Sequence, residues 1–323
     1  MADKKMDIQQ SDVTSADLDA LSLGANAPEL AAFQNEPAQM RSGAVGKYGY
    51  LRLKFSQRGN KSVLSDMERR VPLLVQKALY WDEEMPFMPC VSIVSTSGCV
   101  LQGDRLAINI DVDEGASAFV TTPSATKIHM MDSNFAAQTQ HIRVAEKGYL
   151  EYIPDPIIPH RHSRFISDTL IECQDGGSVI YSEILMSGRK YHHEDEHFGF
   201  DVYSSRIRMK NSQGEVCFTE KMVIEPHKTP VNSVGVMAHY SVYGNVIVIT
   251  DKTSQDEILS LSPSYFSHEL CHGVSRLPGN VGLIFKVLAE DGTKVKQTIR
   301  TFWGISRKAI TGHTLPEQFL WKK

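Results

Sequence analysis

The densest group of metal-type side chains in this 323-residue chain is His192-His193-Glu194-Asp195-Glu196-His197. Imidazole and carboxylate both ligate late first-row divalent ions. The run therefore reads either as a loose cation-collecting patch or as a solvated charged loop. A second group, His268-Glu269-Leu270-Cys271-His272, matches the HExxH pattern. On a helix the two histidines would share a face and hold zinc, with the glutamate as general base. Against that reading, Gly273 follows at once and would end the helix, and Ser275 stands where the longer zinc-protease pattern needs glycine. Glu290 is the only plausible downstream third ligand. No convincing nucleophile–base pair stands out elsewhere.

The elements that must position such groups are mostly strands. Leu51, Leu53 and Phe55 alternate with Arg52 and Lys54, and Leu106, Ile108, Ile110 and Val112 alternate with Ala107, Asn109 and Asp111. Period-two alternation sends one set of side chains to each face of a sheet. Turn chemistry punctuates these runs at Asp113-Glu114-Gly115, Glu146-Lys147-Gly148, Asp175-Gly176-Gly177, Asn211-Ser212-Gln213-Gly214 and Glu290-Asp291-Gly292. Many short strands spaced in this way predict an all-β sandwich, barrel or solenoid.

Two helices are predicted. Ser254-Gln255-Asp256-Glu257 reads as a capping box before Ile258 and Leu261. Val295, Ile299, Phe302, Trp303 and Ser306 form a helical stripe ending before Gly312. Residues 1–41 are polar and read as a flexible tail, within which Asp17-Leu18-Asp19-Ala20-Leu21 could form a short helix on a partner. No break in composition divides the remainder, so residues 42–323 are expected to form a single domain.

Composition narrows the function classes. Apolar residues make up 41% and charged residues 22% of the chain, with a formal net charge of −4, as in ordinary soluble globular proteins. No Lys/Arg-rich run provides a footprint for nucleic acid. Apolar runs such as Val246-Ile247-Val248-Ile249 fall far short of the roughly 20 residues of a membrane helix. The N-terminus lacks an apolar signal core. Cys90, Cys99, Cys173, Cys217 and Cys271 are scattered without a CxxC, which suits reduced, mostly buried thiols. The expectation is a cytoplasmic protein that binds neither nucleic acid nor membrane.

Several segments, in order, resemble one family. They begin with Thr96-Ser97-Gly98-Cys99-Val100-Leu101-Gln102-Gly103-Asp104 and Thr121-Thr122-Pro123-Ser124-Ala125-Thr126-Lys127-Ile128. Gln138 follows, then Leu150-Glu151-Tyr152-Ile153-Pro154-Asp155-Pro156-Ile157-Ile158-Pro159 and Ser163-Arg164-Phe165. Ser182-Glu183, Gly188-Arg189 and Glu196-His197-Phe198-Gly199-Phe200 continue the series, and Ser275-Arg276-Leu277-Pro278-Gly279, Val287-Leu288 and Phe302-Trp303 close it. Together they make residues 45–323 similar to the urease accessory protein family UreD, also called UreH.

The chain departs from the family pattern in places. Cys99 stands where a second glycine is usual, and it would be strained if that position needs a positive φ. Lys286 replaces a more frequent arginine, and His160 and His162 flank Arg161 where an aromatic and a small polar residue are more usual. The stretch before Met40 has no general counterpart.

The resemblance implies a mainly β fold: one strand-rich domain of right-handed β-helical, two-layer sheet architecture with about two α-helices. It implies a urease maturation chaperone that binds the urease apoprotein and UreF, and through UreF the GTPase UreG. Nickel would pass through an internal polar channel as cargo. No catalytic residue and no tightly bound cofactor is expected.

A transit path suits weak, spaced oxygen ligands better than a closed cage. Asp104, Glu151, Asp155, Glu183 and Glu196 lie in the matching segments amid apolar neighbours, where a carboxylate costs free energy unless paired or hydrated. They either line that path or are satisfied by Arg161, Arg164, Arg189 or backbone donors. His192, His193 and His197 would form a loose nickel-collecting patch. Two other readings remain open: a passive β-rich scaffold for urease that handles no metal, and a zinc metalloprotease built on residues 268–272.

Overall fold

The computed structural model describes Asp19, residues 21–35 and residues 47–317. Most of the expected tail lies outside the described residues, as do Asp17, Leu18 and Ala20 of its expected helix and both ends, 42–46 and 318–323, of the expected domain.

The strands begin with β1 (Tyr48–Arg58), β2 (Lys61–Arg70), β3 (Leu73–Val75), β4 (Cys90–Ser95), β5 (Arg105–Val112) and β6 (Ser117–Thr121). They continue with β7 (Thr126–Ile128), β8 (Ala136–Val144), β9 (Tyr149–Tyr152), β10 (Ile157–Pro159), β11 (Arg164–Cys173) and β12 (Ser178–Met186). The last are β13 (Val202–Lys210), β14 (Val216–Ile224), β15 (Val242–Ile249), β16 (Tyr265–Phe266), β17 (Leu270–Arg276) and β18 (Leu283–Ala289).

Among the described residues they form two sheets. One has seven strands in the order β14-β13-β11-β8-β5-β1-β2. The other follows β16-β17-β18-β15-β12-β9-β6-β4-β3, with β7 and β10 attached beside it. β1, β5, β8, β11 and β13 run parallel in the first sheet, and β4, β6, β9 and β12 run parallel in the second. The chain winds β5-β6-β7, then β8-β9-β10, then β11-β12, placing one rung per circuit in each layer. The fold is thus the expected mainly β, single-domain, two-layer coil, and parallel crossovers of this kind are right-handed almost without exception.

Burial follows the period-two pattern. Leu51, Leu53 and Phe55 are fully buried, whereas Arg52 and Lys54 between them are half-buried. Such inward rows, with Ile108, Val120 and Ile171, fill the space between the layers. A second core lies on the other side of the larger sheet, where α2 (Gly292–Thr311) packs Val295, Ile299, Phe302 and Trp303 against Phe119 and Phe285. The Phe285 and Phe302 rings stack with centroids 4.2 Å apart. α2 ends as the sequence predicts, with Gly312 left-handed and its N–H bonded to the Lys308 carbonyl.

Helix α1 (Lys252–Leu261) begins earlier than the capping-box reading places it. Asp251 is the N-cap, accepting from the Ser254 N–H at 3.1 Å and the Ser254 hydroxyl at 2.7 Å. Ser254 therefore lies inside the first turn. An ionised carboxylate three residues upstream is the stronger acceptor for those orphan donors.

The structure decides two local alternatives. His268 and Glu269 sit in a bend and Leu270-Cys271-His272 starts β17, so HExxH has no helical face. The His272 ring packs beside Tyr265 and Phe285, away from any zinc-protease geometry. Cys99 is unstrained, because the left-handed residue of its turn is Gly98, at φ +71°.

Within the stretch read as a tail, Pro28–Phe33 forms a short 3-10 helix on the outer face of the seven-stranded sheet. Leu30 is fully buried there with Phe135, Ala137, Ile166 and Val202, and Glu29 pairs with Lys221 at 2.6 Å. Among the described residues, no helix is long and apolar enough to cross a membrane.

Candidate functional site

Strand register assembles a polar row inside the apolar interior. In the seven-stranded sheet Gln140, Thr169, Ile207 and Glu220 stand opposite one another on successive strands, and Gln138, Ser167, Ser205 and Met222 form the next row. In the facing layer Tyr152 lies opposite Tyr181, while Glu183, Asn245 and Lys286 form the adjacent row. Because side chains alternate, Tyr181 and Glu183 share the inward face of β12.

These side chains are hydrogen-bonded across the two layers. Tyr152 Oη donates to Gln140 Oε1 at 2.7 Å. Gln140 Nε2 donates to Thr169 Oγ1 at 2.8 Å and to Tyr181 Oη at 3.2 Å. Tyr181 Oη donates to Glu183 Oε1 at 2.7 Å, and Ser205 Oγ reaches both Glu183 oxygens at 3.2 Å. Glu183 has no ion pair among the described residues. Burial pushes its carboxyl pKa up, the charge of Glu220 adds to that shift, and the Tyr181 and Ser205 hydrogen bonds oppose it.

A cavity of about 180 Å³ opens beside Glu183, lined also by Gln138, Gln140, Tyr152, Cys99 and Asp155. On the other side the row continues to Asn245, whose Nδ2 donates to Glu220 Oε2 at 2.9 Å, and to Lys286, which pairs with Glu220 near the surface. Ser167 Oγ and Asn245 Oδ1 are buried without a hydrogen-bond partner among the described residues. Buried orphans of this kind imply bound water or a passing polar guest. The row therefore offers carboxylate, hydroxyl and amide oxygens with spare lone pairs, in part beside that cavity.

The other carboxylates singled out in the sequence are held differently. Asp155 reaches the same cavity and also pairs with Lys296 at 3.0 Å. Asp104 is fully buried in its turn, accepting from the Leu101 N–H at 2.8 Å and the Lys47 N–H at 3.0 Å. Burial raises its pKa and those two backbone bonds pull it back.

Glu151 faces the opposite side of the larger sheet and takes a bidentate contact from Arg307 of α2 at 2.7 and 2.6 Å. Tyr149 Oη also donates to Glu151, and Arg307 reaches Asp82 at 2.6 Å. Burial opposes the Arg307 charge, but Glu151 outweighs it and the guanidinium pKa is raised. Glu196 is clamped by Arg189 and by the Arg161 N–H. Burial works against its charge, but the Arg189 contact and the Arg161 N–H together outweigh it, so its pKa is lowered. The five residues thus separate: Glu183 and Asp155 meet at one cavity, and Asp104, Glu151 and Glu196 each lie in their own setting.

The histidine run does not converge. His193 caps the short turn Glu194–Glu196, accepting from the Asp195 N–H, and His192 is exposed. His197 bonds Ser241 Oγ at 3.1 Å. Among the described residues none of the three joins a group of three metal-type donors. His268 stands instead with His239 and Glu290.

The sequence reading missed Gln140, Tyr152, Tyr181, Ser205 and Glu220 as partners of Glu183. The available signal was alternation: Gln138 and Gln140 share a face with Ile142 and Val144, an inward face that should be apolar.

A model of the family described as UreD urease accessory protein matches residues 47–322. Urease accessory protein UreD of Yersinia pseudotuberculosis serotype O:1b is 58% identical over 305 residues, covering 94% of this chain and 95% of its own. The UreD proteins of Yersinia enterocolitica serotype O:8 and Photorhabdus laumondii are 55% and 56% identical, with the same coverage of each chain. With nearly its whole length matched at this identity, and with the coiled two-layer fold in place, the chain belongs to the UreD family of urease accessory proteins.

Proposed function

We propose that this protein serves urease maturation in the cytoplasm by conducting nickel(II) along the polar row between its two sheets to the urease apoprotein. UreF docks on it and carries the GTPase UreG, and the protein has no turnover of its own. The supporting observation is Glu183, a buried carboxylate held by two hydroxyl donors with no cationic side chain paired to it among the described residues. A divalent ion leaving water needs compensating negative charge, and an uncompensated buried charge is very costly. A carboxylate without a resident cation supplies that charge when the ion arrives. Oxygen ligands bind nickel weakly enough to release it, as multi-site conduction requires.

The competing reading, a passive scaffold, draws on Asp104, Glu151 and Glu196, whose backbone and arginine partners give them structural roles. Glu183→Gln separates the two, since it keeps the shape and removes the charge. The expected result is a variant that melts normally and still co-purifies with apo-urease, while urease nickel content and activation fall clearly. Normal nickel loading by that variant would favour the scaffold.

A further inference from the structure

Three loops meet at the end of the seven-stranded sheet where β11 and β13 begin and β14 ends. They carry His162, Asp201 and His227, and one ligand atom from each lies within 4.8 Å of the others. His162 Nδ1 is 3.2 Å from Asp201 Oδ1, and His227 Nε2 is 3.5 Å from the same oxygen. Ligand atoms held about 2.1 Å from an ion lie roughly 3.0 Å apart at octahedral angles and roughly 3.4 Å apart at tetrahedral ones. The two carboxylate–imidazole distances lie close to that spacing, and the first is a hydrogen bond that an ion would replace.

The group is also fixed from behind. Arg164 binds the other oxygen, Asp201 Oδ2, through Nε at 2.8 Å and a terminal nitrogen at 2.6 Å. Oδ1 is thereby turned toward the histidines. His162 adopts a left-handed backbone at φ +58°, and its N–H donates to the Gly199 carbonyl at 2.9 Å. The Asp201 N–H donates to the Ser163 carbonyl at 3.0 Å, locking the two loops together. A carboxylate whose second oxygen is held by an outer partner is the usual support of a metal ligand.

We propose that His162, Asp201 and His227 form a binding site for a late first-row divalent ion such as nickel(II) or zinc(II), on the outside of the coil and separate from the Glu183 row. The chemistry selects the class. Arg164 cancels the carboxylate charge, so affinity rests on the two imidazoles, which nickel and zinc accept and magnesium and calcium do not. Both imidazoles are about half exposed, which leaves room for water to complete the coordination. This assignment does not depend on the transit reading.

The test is a titration of the full chain with nickel chloride against a chromophoric chelator, for wild type, His227→Ala and His162→Asn. Asparagine tolerates the left-handed backbone, so the second variant keeps its fold. The expected result is the loss of one nickel equivalent per chain, or at least a tenfold weakening of it, the scale that even outer-partner changes reach. Glu183→Gln should leave this equivalent intact. Cobalt(II) should give a visible absorption band with wild type that both histidine variants lack. Unchanged stoichiometry and affinity in both variants would overturn the site, and so would equal competition by magnesium chloride.

Discussion

Glu151 and Glu183 are both buried, on neighbouring strands of the same sheet, and their surroundings are opposite. Glu151 points toward α2 and is gripped by Arg307, with Asp82 completing an acid–base–acid triad. Glu183 points between the layers and, among the described residues, is met by hydroxyls alone. A carboxylate with a full complement of donors and a fixed countercharge is committed to the fold. One that lacks a cation is held in place at a cost, and it can accept an ion the first cannot.

The largest effect should come from the committed side. Arg307→Ala leaves Glu151 and Asp82 buried without their countercharge, and it should cost about 3–5 kcal/mol in urea unfolding. A loss under about 1 kcal/mol would mean that the triad is as replaceable as a surface pair.

The opposite sign is expected at Glu183. Its folded pKa lies above the ordinary 4.5, so below pH 4.5 the carboxyl is neutral in both states and contributes no penalty. As pH rises from 4.5 through the folded value, the unfolded chain ionises first and stability falls. Glu183→Gln lacks that loss. It should melt at or above the wild-type temperature at neutral pH and level with it near pH 4. A melt well below wild type at neutral pH would place Glu183 with Glu151.

Asp104→Asn should be smaller than Arg307→Ala. An amide can accept from only one of Leu101 and Lys47 through its oxygen, so about 1–3 kcal/mol of stability should go, with urease activation following stability alone. His192→Ala should change stability by less than about 0.5 kcal/mol, as an exposed loop substitution. Nickel loading should also be unchanged, since His192 joins no group of metal-type donors among the described residues.

Much of the coil was legible because alternation and turn residues are local signals. Leu51, Leu53 and Phe55 declare their face within five residues, and the α2 stripe does so within twelve. The carboxylates were harder to read. From sequence, Asp104, Glu151, Asp155, Glu183 and Glu196 look alike, because what separates them is the partner that the fold brings near. Arg189 lies seven residues from Glu196 and was a foreseeable clamp. Arg307 lies 156 residues from Glu151, on an element whose packing face alone could be read. Arg164, a plausible neutraliser for the motif carboxylates, is spent on Asp201. The start of α1 is hidden in the sequence for a different reason. A good local motif at Ser254 hid a better acceptor at Asp251.

The parallel coil is closed by strands running the other way: β2 against β1, β14 against β13, β15 against β12 and β3 against β4. The outermost strands of the larger sheet, β3 and β16, are three and two residues long. Those of the smaller sheet are longer, but each meets its neighbour through a register shift, at Lys54/Phe55 and at Met209/Lys210. β2 also ends in the charged run Glu68-Arg69-Arg70. Short, bulged and charged borders discourage another chain from extending a sheet. Unlike an open-ended repeat array, the coil is closed at both ends among the described residues, and its borders disfavour edge-to-edge polymerisation. Borders of this kind favour recognition through side chains over extension of a sheet.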